Sequence, residues 1–145
     1  MTKETIPQTN EALEQLYAQL PPMQCQGKCQ ASCTPIVFSR LEGERIRQAV
    51  GSVPLADSRL TCLMLRDGRC SIYRLRPLLC RTWGLTPTIR CPHGCEPERW
   101  LTEAEFHELI ERVMAIGGGI DPAAERQLEQ LLPTLKAVNR KKRKP

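Results

Sequence analysis

The chain has 145 residues, the size of one domain, and a net charge of +5 that lies wholly in its tail, Arg140-Lys141-Lys142-Arg143-Lys144. Residues 1–139 are electrically balanced, and aromatic residues make up only 4% of the chain, which argues against a nucleic-acid interface built on global basicity and stacking. No stretch approaches the roughly 18 apolar residues that a membrane helix needs, and the 12 prolines and 9 glycines demand many loops and turns.

The first expected element is an amphipathic helix over residues 11–20. Leu13, Leu16, Tyr17 and Leu20 repeat at helical spacing, Asn10 can cap the start, and Pro21-Pro22 stops it. Residues 23–35 carry Cys25, Cys29 and Cys33, spaced by four; in a helix they would share one face. Ser39-Arg40-Leu41-Glu42 is a capping box and opens a helix to about Val50, closed by Gly51. Residues 52–61 read as loop.

Cys62-Leu63-Met64-Leu65, a turn at Asp67-Gly68 and Cys70-Ser71-Ile72-Tyr73 predict a short β-hairpin with Cys62 and Cys70 across it. Pro77 fits the first turn of a short helix carrying Cys80 and Arg81. Residues 84–98 hold Pro87, Pro92, Gly94 and Pro97 and read as irregular loop. Within it Cys91 and Cys95 bracket Pro92-His93-Gly94, a loop able to wrap an ion.

Thr102-Glu103-Ala104-Glu105 is a second capping box, with Leu101 and Phe106 placed for a hydrophobic staple. Its helix should reach Ile116 and bury Phe106, Leu109, Ile110, Val113 and Met114, ending at Gly117-Gly118-Gly119. Asp121-Pro122 starts a last helix with Leu128, Leu131 and Leu132, interrupted at Pro133. The expected architecture is a small mainly-α domain with a short β-hairpin and a loop-rich, metal-stapled cysteine centre. One domain spans 1–139, its cysteine-rich part 25–95 and its C-terminal helices 103–138; residues 140–145 form a basic, solubilising tail.

Eight cysteines in 71 positions, Cys25 to Cys95, are too many to be inert packing residues. The N-terminus has no basic region followed by an apolar stretch, so the expected compartment is the reducing cytosol, where a disulfide framework is disfavoured. Thiolates are soft ligands suited to Zn²⁺ or an iron–sulfur cluster, and four satisfy one tetrahedral zinc or one 4Fe–4S cubane. The chain has C-x3-C pairs and no C-x2-C pair, which leans toward iron–sulfur. His93 could replace one thiolate. A cysteine nucleophile would need an adjacent base, and the chain offers only His93 and His107. Arg66, Arg69, Arg74, Arg76, Arg81 and Arg90 crowd the cysteines and could offset a negative centre.

Gly68-Arg69-Cys70-Ser71-Ile72-Tyr73-Arg74-Leu75-Arg76-Pro77-Leu78-Leu79-Cys80-Arg81 resembles the signature of the YkgJ-like cysteine-cluster family, described as zinc- or iron-chelating. Cys62 and the N-terminal cysteine group fit the same pattern, so the resemblance covers about residues 25–95. The family commonly has an adjacent Cys-Cys pair in its first group; here Thr34 follows Cys33, and Cys91 and Cys95 could compensate. The resemblance implies Cys25, Cys29, Cys33, Cys62, Cys70, Cys80, Cys91 and Cys95 as ligands. It also implies supporting roles for Tyr73 as a cover over the site, and for Arg76 and Arg81 as donors to thiolates or backbone carbonyls. The implied function is metal binding as a carrier, sensor or scaffold, with a protein partner unspecified. The alternative is an enzyme or electron-transfer component that uses an iron–sulfur cluster.

Overall fold

A computed structural model describes residues 7–24 and 36–143, with side chains described as far as Pro133. Among these residues there are five helices: α1 (Asn10–Tyr17), α2 (Arg40–Val50), α3 (Leu78–Arg81), α4 (Glu103–Gly117) and α5 (Pro122–Arg143). Two two-residue strands, β1 (Leu65–Arg66) and β2 (Arg69–Cys70), form an antiparallel hairpin, and a 3₁₀ turn at Tyr73–Leu75 links it to α3. Among the described residues, no helix is long and apolar enough to cross a membrane.

The helix ends follow local chemistry. Thr9, one residue before the expected Asn10, caps α1 by accepting from the Ala12 amide at 3.1 Å. The helix ends at Tyr17, and the tighter bonds from Gln19 N–H to the Leu16 carbonyl and from Leu20 N–H to the Tyr17 carbonyl carry the chain to Pro21. Both expected capping boxes form, Ser39 with Glu42 and Thr102 with Glu105. Gly51 and Gly118 close α2 and α4 in the left-handed conformation, at φ 78° and 74°.

α4 is the axis of the fold: α1, α2 and α3 all pack on it. Leu13, Leu16 and Tyr17 from α1, Leu78 from α3, and Leu109, Val113 and Ile116 from α4 share the main core with Leu85 and Leu101. Phe106 departs from the expectation. It is half-buried and lines a surface hollow of about 390 Å³ with Thr86, Ile89 and His107. Ile110 and Met114 are partly buried against the core.

A second cluster joins Phe38, Val53 and Ala124. It is sewn by Arg40 N–H to the Gly119 carbonyl at 2.9 Å and Asp121 N–H to the Phe38 carbonyl at 2.9 Å. The close approach needs glycine twice. An added Cβ at Gly43 would collide with Asp121 Oδ2, and one at Gly117 with the Ser39 side chain.

The last helix is longer than expected. It runs through Pro133 to Arg143, past residue 138 and into the basic segment. Proline removes its own N–H bond to the fourth residue before it and crowds that residue's carbonyl, yet α5 continues on the helix-forming residues to either side. Ala124 is buried, but Leu128 and Leu132 are 36% and 42% exposed.

Candidate metal centre

The cysteine-bearing middle of the chain is built against α2. Ile46, fully buried, packs with Met64 and Ile72, and Cys62 and Cys70 lie partly buried against this third cluster. The hairpin turn is set by Asp67 and Gly68, both at positive φ (51° and 73°), the two-residue geometry that matches strand twist. The ladder is shorter than expected. It pairs Leu65 with Cys70 and Arg66 with Arg69, so Cys62 is not opposite Cys70. Cys62 instead bridges Ala56. The reason is Asp57, whose Oδ1 accepts from the amides of Arg59 and Thr61 and folds the preceding loop back onto Cys62.

The two sulfurs still share one neighbourhood. Burial pushes the Cys62 thiol above its ordinary pKa and the nearby Cys70 thiol adds to the rise, while the backbone of Met64 and Leu65 pulls the other way without cancelling it.

Cys80 is half-buried on α3. Pro77 is the N-cap of this helix rather than a residue of its first turn, and the first amide, Leu78 N–H, donates to Glu42 Oε2 at 2.7 Å. Glu42 is 2% exposed and also accepts from the Tyr17 hydroxyl at 2.6 Å and the Ser39 amide at 3.0 Å. One carboxylate thus ties α1, α2 and the Cys80 helix together. Its sequence signal was the capping box alone, which says nothing of α1 or α3.

Cys91 is 7% exposed and Cys95 half-buried. Gly94, at φ 82°, turns the loop between them, and its amide donates to the Cys91 carbonyl at 3.2 Å. An added Cβ at Gly84 would stand 3.1 Å from the Met23 methyl and 3.7 Å from Cys91 Cβ. Met23 in turn bridges Pro97, and Glu98 N–H donates to the Pro22 carbonyl at 2.9 Å. The chain before Cys25 therefore runs beside the Cys91–Cys95 loop. Cys25, Cys29 and Cys33 themselves lie outside the described residues.

The residues expected to support the centre have defined partners. The Arg76 guanidinium lies 3.9 Å from the centroid of the half-exposed Tyr73 ring and donates to the Tyr73 carbonyl at 2.9 Å. Arg81 donates to the carbonyls of Arg76 and Arg74 at 2.6 and 2.8 Å and lies over the Tyr17 ring at 4.0 Å. Both clamp the segment between the hairpin and α3 through backbone carbonyls. Arg66, Arg69, Arg74 and Arg90 are solvent-exposed, and His93 is exposed in the Cys91–Cys95 loop.

Among the described residues, no group of three or more His, Cys, Asp or Glu side chains comes together in a form that could hold a metal ion. Cys62 and Cys70 are a pair of soft donors on one wall; any closed site needs further ligands. No protein-family model, no curated protein and no solved structure matches this chain.

Proposed function

We propose that this chain is a metal-binding protein of the YkgJ-like type, holding an iron–sulfur cluster or zinc through clustered cysteine thiolates. It would act as a carrier, sensor or scaffold in the reducing cytosol. The observation that carries the reading is the placement of Cys62 and Cys70 together, both partly buried against the Ile46, Met64 and Ile72 cluster. The donor set fits soft metals rather than Mg²⁺ or Ca²⁺. Bound there, the metal would supply the cross-link that a loop-rich segment needs to stay folded.

Cys62 and Cys70 are the first ligands in this reading. Cys80, Cys91 and Cys95, with the first cysteine group, complete one or two centres, and the absence of C-x2-C pairs favours iron–sulfur over zinc. The test is stoichiometry. Anaerobic reconstitution of wild type, Cys62→Ser and Cys70→Ser should give a loaded wild type and variants with clearly less metal. Equal metal in all three would refute the assignment.

A further inference from the structure

Among the described residues, α5 meets the body of the fold at its start. Ala124 is buried in the cluster with Phe38 and Val53, and the Gln127 side-chain oxygen accepts from the Ala56 amide at 2.7 Å. Beyond Gln127 the side chains emerge. Leu128, Glu129, Gln130, Leu132 and Pro133 are exposed, and Leu131 is half-buried. Leu128 and Leu132 are one turn apart on the same side of the helix. The sequence carries the pattern on: Leu128, Leu131, Leu132, Leu135 and Val138 recur at steps of three and four, the spacing of an apolar stripe. Single exposed leucines are ordinary, but a contiguous row on one helix marks a contact surface.

Charge decides what that surface meets. Residues 136–145 hold six cations, Lys136 and Arg140 to Lys144, and no acid. On a separate tail such a run would be a solvated end. Here α5 continues unbroken to Arg143, so the basic segment rides on the helix that bears the leucines. At 1.5 Å per residue, Leu128 and Arg143 lie about 22 Å apart along one axis. An aliphatic stripe joined to a cationic end matches a surface that is anionic at its headgroups and apolar just beneath them. A second copy matches poorly, because α5 offers those cations only Glu125 and Glu129, with Arg126 between them. The stripe also lacks the aromatic anchors that seat a helix in a protein groove, whereas acyl chains require none.

We propose that α5 docks this protein on an anionic lipid surface, with the leucine stripe that starts at Leu128 entering the headgroup boundary and the basic end of the helix at the anionic headgroups. The contact lies in the plane of the interface and does not cross the bilayer. It weakens as salt rises, because headgroup attraction is screened. The proposal is independent of the metal-binding reading above.

The test is co-sedimentation of the full chain with vesicles of phosphatidylcholine alone and of phosphatidylcholine mixed with phosphatidylserine. At low salt the mixed vesicles should bind it more tightly by roughly 10-fold or more, and about 0.5 M salt should remove most of that difference. A Leu128→Ser/Leu132→Ser variant changes two exposed side chains and should melt as wild type does, yet lose roughly 10-fold in binding to the mixed vesicles. A Lys141→Glu/Lys142→Glu variant should lose at least as much by the charge route. Equal binding to both vesicles, or full binding by either variant, overturns the proposal. So does a wild type that ignores both vesicles; if it also sediments as a dimer that the leucine variant disperses, the stripe belongs to a second copy.

Discussion

The Tyr17 hydroxyl donates to Glu42 Oε2 at 2.6 Å, joining the end of α1 to the first turn of α2 in the buried centre of the fold. The same oxygen receives the first amide of α3. Burial, followed by the Glu42 charge and the hydrogen bond to it, drives the Tyr17 phenol far above its ordinary pKa, with Arg81 and Arg45 pulling only weakly the other way. The tyrosine is thereby held in its protonated, donating form.

Removing the hydroxyl tests how much this link contributes. Tyr17→Phe leaves Glu42 with its other donors, so the loss should be about 1–2 kcal/mol in urea unfolding. Glu42→Gln should be worse, because on either side the amide NH₂ must face a backbone N–H, of Ser39 or of Leu78, that cannot accept. Equal stability of the Glu42→Gln and wild-type proteins would show that the carboxylate is not the hub.

The Arg47–Asp121 pair makes a prediction about acid. Burial alone would raise the Asp121 carboxyl, but two Arg47 bonds of 2.8 Å and the amides of Ala123 and Ala124 outweigh it and hold the carboxyl below its ordinary value. Its folded pKa is thus lower than its unfolded one, near ~4. The contribution is present above that unfolded value and is lost as pH falls through the folded one. Arg47 is 39% exposed, so solvent screening limits the gain to about 1–2 kcal/mol. Asp121→Asn should be less stable at about pH 7 and lose less stability than wild type as pH falls from about 5 to about 2. Parallel stability curves for the two proteins would contradict this.

Gly43→Ala should destabilise through a clash and not through helix propensity. Alanine is the better helix former by about 1 kcal/mol, yet its methyl would meet the Asp121 carboxylate. Overpacking of this kind costs about 1–3 kcal/mol, so the sign of the change decides between the two effects. A rise in melting temperature would mean that the α2–α5 junction yields.

Local signals in the sequence survived and tertiary ones did not. The two capping boxes, the Gly51 stop and the Asp67-Gly68 turn each depend on a few adjacent residues, and each is in place. The reach of the hairpin was misjudged because Asp57, five residues before Cys62, redirects the chain by side-chain bonds that period-two patterning does not register. Proline at 133 reads as an interruption of the last helix but stands inside a continuous α5, because a local signal of this kind does not weigh the propensity of the residues on both sides. Glu42 was legible as a cap and illegible as the anchor of the Cys80 helix, because its partners lie 25 and 36 residues away. Of the eight cysteines, spacing alone marked the set, while the shared neighbourhood of Cys62 and Cys70 came from α2 packing beneath both.

That clustered thiolates hold a metal is tested most directly by anaerobic purification, followed by elemental analysis and an absorption spectrum of wild type and of the Cys62→Ser/Cys70→Ser double variant. Wild type should carry iron with a broad band near ~400 nm, or zinc without colour. The double variant should lose that metal and melt at a lower temperature. A wild-type protein that is metal-free as isolated, takes up neither iron nor zinc and melts at the same temperature as the double variant would contradict the assignment.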